Sequence, residues 1–313
     1  MKNQFRALLV IGLIALTSSC KKDDITPLAV ASWKAQPSGT IADLSSVYFI
    51  DANNGFAVGK KGTILKTTNG ASWTSLPSGT TANLESVYFT DANNGYAVAD
   101  FTLLKTTNAG ATWNISTSGT QIRLKSVYFI DANNGYIVGD GTILKTTNAG
   151  STWTSTTVVG VENLWLQSVY FIDSNNGYAV GNEGTILKTI NAGATWTSQV
   201  VGVNALRSVY FIDANNGYAV GNEGTILKTT NAGATWTTQT IQRYNLQSVY
   251  FTDINNGYAV GDYGTTILKT TDAGTNWTVQ QFQIGDGLKS VYFKDSNNGY
   301  AVGVHGTILK YGF

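Results

Sequence analysis

The chain has 313 residues, of which 12% are charged, and its formal net charge at pH 7 is +1. With 42% hydrophobic residues, 34 glycines and 3 prolines, it is too apolar to be disordered, and it favours short strands joined by tight turns. The charge balance argues against a nucleic-acid partner, which requires a basic face. The single cysteine excludes an intramolecular disulfide framework and a cysteine-based metal site.

The first 20 residues have the pattern of a signal peptide. Lys2 and Arg6 flank the start of an apolar run, Ala7–Leu16, which is too short to span a bilayer. Small residues lead from this run to Cys20, and the segment resembles a bacterial lipobox, although Thr17 stands where Leu is usual. The resemblance implies that Cys20 is lipidated. An ordinary secretory signal with an incidental cysteine is the alternative.

Residues 21–30 are expected to form a tether. They begin with Lys-Lys-Asp-Asp, which resembles the surface-export signal of some Gram-negative lipoproteins. We therefore expect a lipid anchor in the outer membrane and a protein that faces outward. Removing residues 1–20 takes away two cations and changes the formal net charge from +1 to −1.

The rest of the chain is organised around a repeat. The tetrapeptide Ser-Val-Tyr-Phe begins at Ser46, Ser86, Ser126, Ser168, Ser208, Ser248 and Ser290, in steps of 40 or 42 residues. A period of this size is typical of a solenoid or a propeller.

Each repeat predicts four short strands separated by turns. In the fifth copy these are Leu206–Ile212, Tyr218–Gly221, Thr225–Thr230 and a strand that opens at Thr235. The Asn-Gly pair between the first two strands predicts a type I′ hairpin turn, in which both central residues have positive φ.

The repeats predict a seven-bladed β-propeller over residues 31–313. Runs such as Ser-Val-Tyr-Phe-Ile do not alternate apolar with polar residues, so both faces of the strand should be covered, as in radially stacked blades. The last copy stops after its third strand, whereas Trp33 belongs to a fourth strand with nothing before it. Pairing these two parts closes a ring, which a capped linear solenoid does not need.

The third strand and the following turn carry a recognisable motif. Thr106 to Trp113 reads T-T-N-A-G-A-T-W, which resembles the Asp-box of bacterial neuraminidase repeats, with Asn in place of Asp in most copies. The whole unit from Trp33 to Phe313 resembles the photosystem II stability/assembly factor-like family. This resemblance implies a seven-bladed, non-catalytic propeller that assists the assembly of a protein complex. The family's factor relies on an arginine patch, whereas the chain after Cys20 has only Arg123, Arg207 and Arg243.

Most of the repeated residues are interpreted as scaffold. The aspartates of the D-x-N-N-G motif are expected to cap their own turns rather than to form a ring of catalytic carboxylates. The motif also lacks the spacing of a calcium loop. The repeat tryptophans are expected to pack between blades rather than to bind ligand.

Functional residues are therefore expected where the copies differ. In a four-stranded blade, the second-to-third turn and the link to the next blade lie on one rim, at the mouth of the central channel. The variable turns hold Lys60-Lys61, Asp100-Phe101, Asp140, Asn182-Glu183, Asn222-Glu223, Asp262-Tyr263 and Val304-His305. The residues selected as candidate partner contacts are Trp165, Arg123, Arg207, Arg243, Tyr244, Tyr263, Lys60, Lys61 and His305. Trp165 leads them because it is the one tryptophan outside the repeat, although it is equally well interpreted as a loop anchor.

Three functions follow from this pattern. The leading hypothesis is a monomeric, lipid-anchored propeller that binds a protein partner and needs no cofactor. The second is a glycan-binding module that uses Trp165, Tyr244 and Tyr263 as stacking faces. The third is a sialidase-like hydrolase using the three arginines, which we expect to be scattered rather than to share a pocket.

No complete catalytic set is visible in the sequence. Glu85 and Glu162 form only a nominal carboxylate pair for a glycosidase. His305 is the only histidine, so a histidine-based metal site or catalytic triad is not expected. We therefore expect no catalytic residue and no metal.

Overall fold

The computed structural model describes residues 31–156, 158, 165–241, 244–262, 266–281 and 285–312. The predicted signal peptide, Cys20 and the tether at 21–30 lie outside these residues. Within the described part of the chain, no helix is long and apolar enough to cross a membrane.

The described residues form 28 strands and three short 3-10 turns. The strands of the first half are β1 Ser32–Gln36, β2 Leu44–Phe49, β3 Gly55–Gly59, β4 Ile64–Thr67, β5 Thr74–Leu76, β6 Leu84–Phe89, β7 Gly95–Ala99, β8 Thr102–Thr106, β9 Asn114–Ser116, β10 Leu124–Phe129, β11 Gly135–Gly139, β12 Thr142–Thr146 and β13 Thr154–Thr156. Those of the second half are β14 Leu166–Phe171, β15 Gly177–Gly181, β16 Thr185–Thr189, β17 Thr197–Val200, β18 Leu206–Phe211, β19 Gly217–Gly221, β20 Thr225–Thr229, β21 Thr237–Thr240, β22 Leu246–Phe251, β23 Gly257–Gly261, β24 Thr266–Thr270, β25 Thr278–Gln281, β26 Leu288–Asp295, β27 Asn298–Gly303 and β28 Ile308–Gly312. The 3-10 turns are Lys60–Gly62, Asn222–Gly224 and Val304–Gly306.

The strands make seven four-stranded antiparallel sheets, which confirms the predicted propeller. Blades 1 to 6 take consecutive strands in chain order, from β2–β5 to β22–β25. Blade 7 has the order β1-β28-β27-β26, so the first strand of the chain completes the last sheet. Trp33 lies opposite Tyr311 in this pairing, as the split repeat predicted.

The hairpin between the first two strands is present, but the predicted type I′ turn is wrong. None of the described asparagines has positive φ, and Gly55 and its equivalents are not in that region either. In blade 1 the Ile50 N–H donates to the Asn54 carbonyl at 2.9 Å, so the loop is longer than two residues. Glycine is required at position 55 for space, because a Cβ there would lie 2.6 Å from the Phe49 ring.

Positive φ occurs instead in the Asp-box turn. Ala109 and Gly110 have φ of 56° and 74°, and the Ala111 N–H donates to the Asn108 carbonyl at 3.1 Å. The same turn delays the fourth strand, which in blade 5 begins at Thr237 rather than at the predicted Thr235. Thr235 still belongs to the turn, because its N–H donates to the Asn231 Oδ1 at 2.9 Å.

The core lies between blades rather than within them. In every seam, the phenylalanine of one inner strand stacks on the aromatic residue that follows the first glycine of the second strand of the preceding blade, with centroids 3.7–4.4 Å apart. The Asp-box tryptophan of the same blade meets this phenylalanine edge-on at 5.7–5.9 Å. Stacked and edge-to-face pairs are both favourable aromatic geometries. The tryptophans are therefore packing residues, as predicted.

Two further sets of contacts run around the axis and close on themselves. The serine Oγ of each Ser-Val-Tyr-Phe accepts the valine N–H of the next blade at 3.2–3.4 Å, and Ser290 to Val47 completes the ring. The seven tyrosines of the same motif contact their neighbours with centroids 4.7–5.4 Å apart, including Tyr292 with Tyr48. Burial raises the pKa of Tyr170 to about 12, so this tyrosine is neutral near pH 7.

A lysine from each of blades 1 to 5 donates a hydrogen bond to the next blade. In blade 2, the Lys105 ammonium and the Tyr96 hydroxyl both donate to the Ala149 carbonyl in the Asp-box turn of blade 3, at 2.7 and 2.8 Å. The corresponding lysine bond recurs at 2.6–2.7 Å in blades 1, 3, 4 and 5. Since each lysine also lies over an aromatic ring of its own blade, the repeated Lys is an inter-blade fastener and not a ligand contact.

Replacement of Trp33 tests how much of the stability comes from ring closure. Trp33 is 7% exposed and contacts Tyr258 of blade 6 and Phe293 of blade 7. We expect Trp33→Ala to lower the free energy of unfolding by about 3–5 kcal/mol, because a buried indole is lost and a cavity is left. Urea denaturation followed by circular dichroism measures this. Trp165→Ala, at a half-exposed tryptophan, is the control and should cost less than about 0.5 kcal/mol. A loss below about 1 kcal/mol for Trp33→Ala would contradict closure by this strand.

Candidate functional site

The turns are divided between two rims. On one, the Lys60 N–H donates to the Asp43 carbonyl and the Gly62 N–H to the Ala82 carbonyl, both at 2.8 Å, so second-to-third turns lie beside the blade links. On the other, the Ala109 N–H donates to the Asn93 carbonyl at 3.0 Å, which joins an Asp-box turn to a D-x-N-N-G turn. We call these the variable rim and the constant rim.

The aspartates of the constant rim are turn caps. Asp213 Oδ1 accepts the N–H groups of Asn215 and Asn216, both at 2.8 Å, and the Asn216 side chain donates to both carboxylate oxygens. The same backbone bonds are made by Asp51, Asp91, Asp131, Asp173, Asp253 and Asp295. Each carboxylate is thus committed to its own loop, as the sequence predicted.

These hydrogen bonds make stability depend on acid pH. The side-chain hydrogen bond from Asn216, with the backbone N–H bonds, holds the pKa of Asp213 below its ordinary value of 3.8, and Asp51, Asp91, Asp131 and Asp173 are shifted in the same direction. A carboxylate whose folded-state pKa is lowered stabilises the fold above its unfolded pKa, and this contribution is lost as the pH falls through the folded pKa.

We therefore expect the melting temperature to fall steadily from about pH 5 to pH 2, where the caps become protonated. Calorimetry across this range measures the effect. The five caps named above, Asp51, Asp91, Asp131, Asp173 and Asp213, are then replaced by Asn, which keeps an acceptor but does not titrate. This should flatten the dependence of the melting temperature on pH. A melting temperature that stays constant or rises in acid would contradict the cap assignment.

Several charged side chains of the variable rim are paired with each other. Lys60 and Lys289 both lie beside Asp43, and Lys125 meets Glu85 at 3.0 Å across adjacent blades. These pairs join inner strands and links of neighbouring blades, which places them around the axis.

His305 belongs to the same network. Its Nδ1 lies 2.9 Å from Asp286 Oδ1, and its backbone N–H donates to Asp43 Oδ1 at 3.0 Å. The hydrogen bond to Asp286 raises the pKa of His305. His305 thus joins the blade 6–7 link to the blade 7–1 link, and it has a structural role whether or not a partner contacts it.

The two described arginines of the candidate set, Arg123 and Arg207, lie in different environments. Arg123 lies at the start of blade 3 and pairs through its backbone with Asp100. Arg207 lies in blade 5, where its Nε donates to Asn222 Oδ1 at 3.1 Å. Arg243 lies outside the described residues. For the two described arginines, the expected scattering agrees with these separate environments.

The proposed stacking residues differ from one another. Trp165 is 51% exposed, whereas Tyr244 is partly buried and packs against the core between blades 5 and 6. Tyr263 lies outside the described residues. Lys61 is exposed at the tip of the blade 1 turn, with φ of 56°.

Phe101 belongs to a variable turn but is not among the partner contacts predicted from the sequence. It is 55% exposed and its φ is 60°, in the left-handed region that bulky residues avoid. Blade 3 has Gly141 at the corresponding position, with φ of 67°. Alignment of the copies A-D-F-T and G-D-G-T shows this replacement, so the signal was present in the sequence.

The described part of the chain shows no cluster of metal-ligating side chains. None of the described His, Cys, Asp and Glu side chains form a group of three that could hold a metal ion. Glu85 is engaged by Lys125 at 3.0 Å, and its nominal partner, Glu162, lies outside the described residues.

The fold and the two rims define a seven-bladed propeller with a repeated Asp-box scaffold and one divergent rim. The family model described as Photosynthesis system II assembly factor YCF48 matches residues 68–201, 156–242, 197–283 and 238–312, which together span most of the chain. The chain therefore belongs to this family.

Two solved structures show the same fold. YCF48 from Cyanidioschyzon merolae is 21% identical, with a TM-score of 0.75, and the match covers 90% of this chain and 99% of that one. A structure described as YCF48 bound to D1 peptide is 18% identical, with a TM-score of 0.76, and the match covers 90% of this chain and 95% of that one. No curated protein matches the chain.

Substitution of Phe101 distinguishes a structural side chain from an exposed contact. Phe101→Gly should leave the free energy of unfolding unchanged or raise it by up to about 1 kcal/mol, because relief of left-handed strain outweighs the entropy cost of glycine. The matched change Gly141→Phe should lower it by about 1–2 kcal/mol. Both are measured by urea denaturation. A loss above about 1 kcal/mol for Phe101→Gly would show that the ring is a packing residue.

Proposed function

We propose that this chain is a non-catalytic assembly or scaffold protein of the bacterial envelope, anchored through lipidated Cys20, that binds a protein partner through its variable rim. The main support is the contrast between the rims. The carboxylates and Asp-box turns of the constant rim are used within the fold, whereas the variable rim presents the half-exposed rings of Phe101 and Trp165.

The comparison with the family supports a protein as the partner. Its description is an assembly factor, and one solved relative was bound to a peptide. An exposed aromatic residue on a rigid ring is also a common anchor in protein interfaces, where tryptophan and arginine carry a large share of the binding energy.

Crosslinking in intact membranes tests the partner. The full chain is crosslinked and captured in three forms: wild type, Trp165→Ala on the variable rim, and Ile190→Ala on the constant rim. Ile190 is 68% exposed, so the two changes remove exposed apolar side chains from opposite rims. We expect a defined protein adduct that is reduced about tenfold by Trp165→Ala and unchanged by Ile190→Ala.

The opposite pattern would contradict the proposal, as would turnover of a sialoside or another glycoside. A glycan-array signal that is lost in Trp165→Ala would favour the glycan-binding alternative. Anchoring is tested separately: Cys20→Ser should abolish incorporation of labelled palmitate and release the protein from membranes. Retention of label would contradict lipidation at Cys20.

A further inference from the structure

Exposed apolar side chains alternate with acidic side chains that are exposed (Glu183) or partly exposed (Asp140) along one side of the variable rim. They are Phe101, Asp140, Trp165, Glu183 and Val203, from blades 2 to 5, and we call them the aromatic–acidic arc. Building on the proposed function, we propose that this arc docks a basic, apolar peptide segment of the partner protein.

Backbone contacts make the arc continuous. Asp100, next to Phe101, pairs with Arg123, and the Asp140 N–H donates to the Arg123 carbonyl at 3.1 Å. Asp140 pairs in turn with Trp165, whose carbonyl accepts the Asn182 N–H at 3.2 Å. Asn182 precedes Glu183, and the Gly184 N–H donates to the carbonyl of Asn204, next to Val203, at 2.8 Å.

The apolar members are held outward on a rigid frame. Phe101, Trp165 and Val203 are 55%, 51% and 85% exposed. Phe101 has a left-handed backbone conformation, which is strained for a bulky residue. Such strain is commonly retained at binding sites. Three exposed apolar side chains thus lie in successive seams of one rim, and exposed apolar surface is a mark of interaction sites.

Charge selects the peptide. The arc and its neighbour Asp100 carry three carboxylates, of Asp100, Asp140 and Glu183, and none of them has an ion-pair partner among the described residues. Arg123 pairs with Asp100 through its backbone, and the nearby Lys125 is already paired with Glu85 at 3.0 Å. The opposite side of the ring has three lysines and three aspartates: Lys60, Lys61, Lys289, Asp43, Asp262 and Asp286. The arc is therefore the more acidic side of the described rim.

A Lys or Arg side chain of the partner would therefore find a carboxylate and the face of an indole together. Cations are attracted to aromatic faces, most strongly to tryptophan. Complementary charge also raises the association rate and orients the partner. An acidic segment would meet like charges on this side, so the arc favours a basic one.

Three peptides of equal length test the inference with the full chain in detergent. One alternates Lys with Leu, one replaces every Lys with Glu, and one replaces every Leu with Ser. Fluorescence anisotropy should show that the Lys–Leu peptide binds at least about tenfold more tightly than either of the others, and less tightly as salt increases.

Variants of the variable rim show where the Lys–Leu peptide binds. Trp165→Ala and the pair Asp140→Asn with Glu183→Gln should each weaken the Lys–Leu peptide about tenfold. Ile41→Ser is the matched control, because Ile41 is 89% exposed and lies on the same rim outside the arc, and it should leave binding unchanged.

Equal binding of all three peptides, preference for the acidic one, no binding at all, or loss of binding in Ile41→Ser alone would overturn the inference. These outcomes are separate from the proposed function. A crosslinked protein adduct that requires Trp165 would still support partner binding through the variable rim, by a segment of different chemistry.

Discussion

Each blade is completed by its neighbour, and the rest of the structure depends on this constraint. The stacked pair Phe49–Tyr300, with centroids 3.7 Å apart, joins blade 1 to blade 7, and the same pair recurs in every seam. An open array would leave two such faces exposed to water, and burying apolar area is the main driving force for folding. Pairing of β1 with β28 removes both exposed faces at once. Closure is thus the condition for a buried core, and the near-identity of the repeats follows from it.

The same constraint separates scaffold from function. On the constant rim, the Asp caps, the Asp-box turns and the lysine fasteners all use their polar groups inside the fold, so little remains for a ligand. On the variable rim, the turns are joined to the adjacent links mainly by backbone hydrogen bonds, so fewer side chains are needed within the fold. Side chains there can differ among blades without cost to the core. The rigid ring therefore presents the variable rim as a pre-organised surface, which limits the entropy lost on binding.

The sequence was sufficient for the fold but only partly for the site. Period, blade number and the role of Trp33 follow from the spacing of the repeats, because each copy must satisfy the same packing. The turn geometry was mispredicted, because the Asp213 carboxylate stabilises a longer loop and positive φ moves to the Ala-Gly pair of the Asp-box. The importance of Phe101 was also missed: comparison of A-D-F-T with G-D-G-T shows a phenylalanine at a glycine position, and the structure adds the positive φ that makes the position strained. Tyr244 was selected as a stacking face, and the structure places it partly buried against the core, an environment that a loop position in the sequence does not reveal.

The central claim is that only the variable rim meets a partner. A photo-crosslinking amino acid placed at Phe101 on the variable rim, or at Ile190 on the constant rim, tests it directly in living cells. Both positions are exposed, by 55% and 68%, so accessibility does not distinguish them. The account predicts a discrete protein adduct from position 101 and none from position 190. An adduct from position 190, or no adduct from position 101, would contradict it.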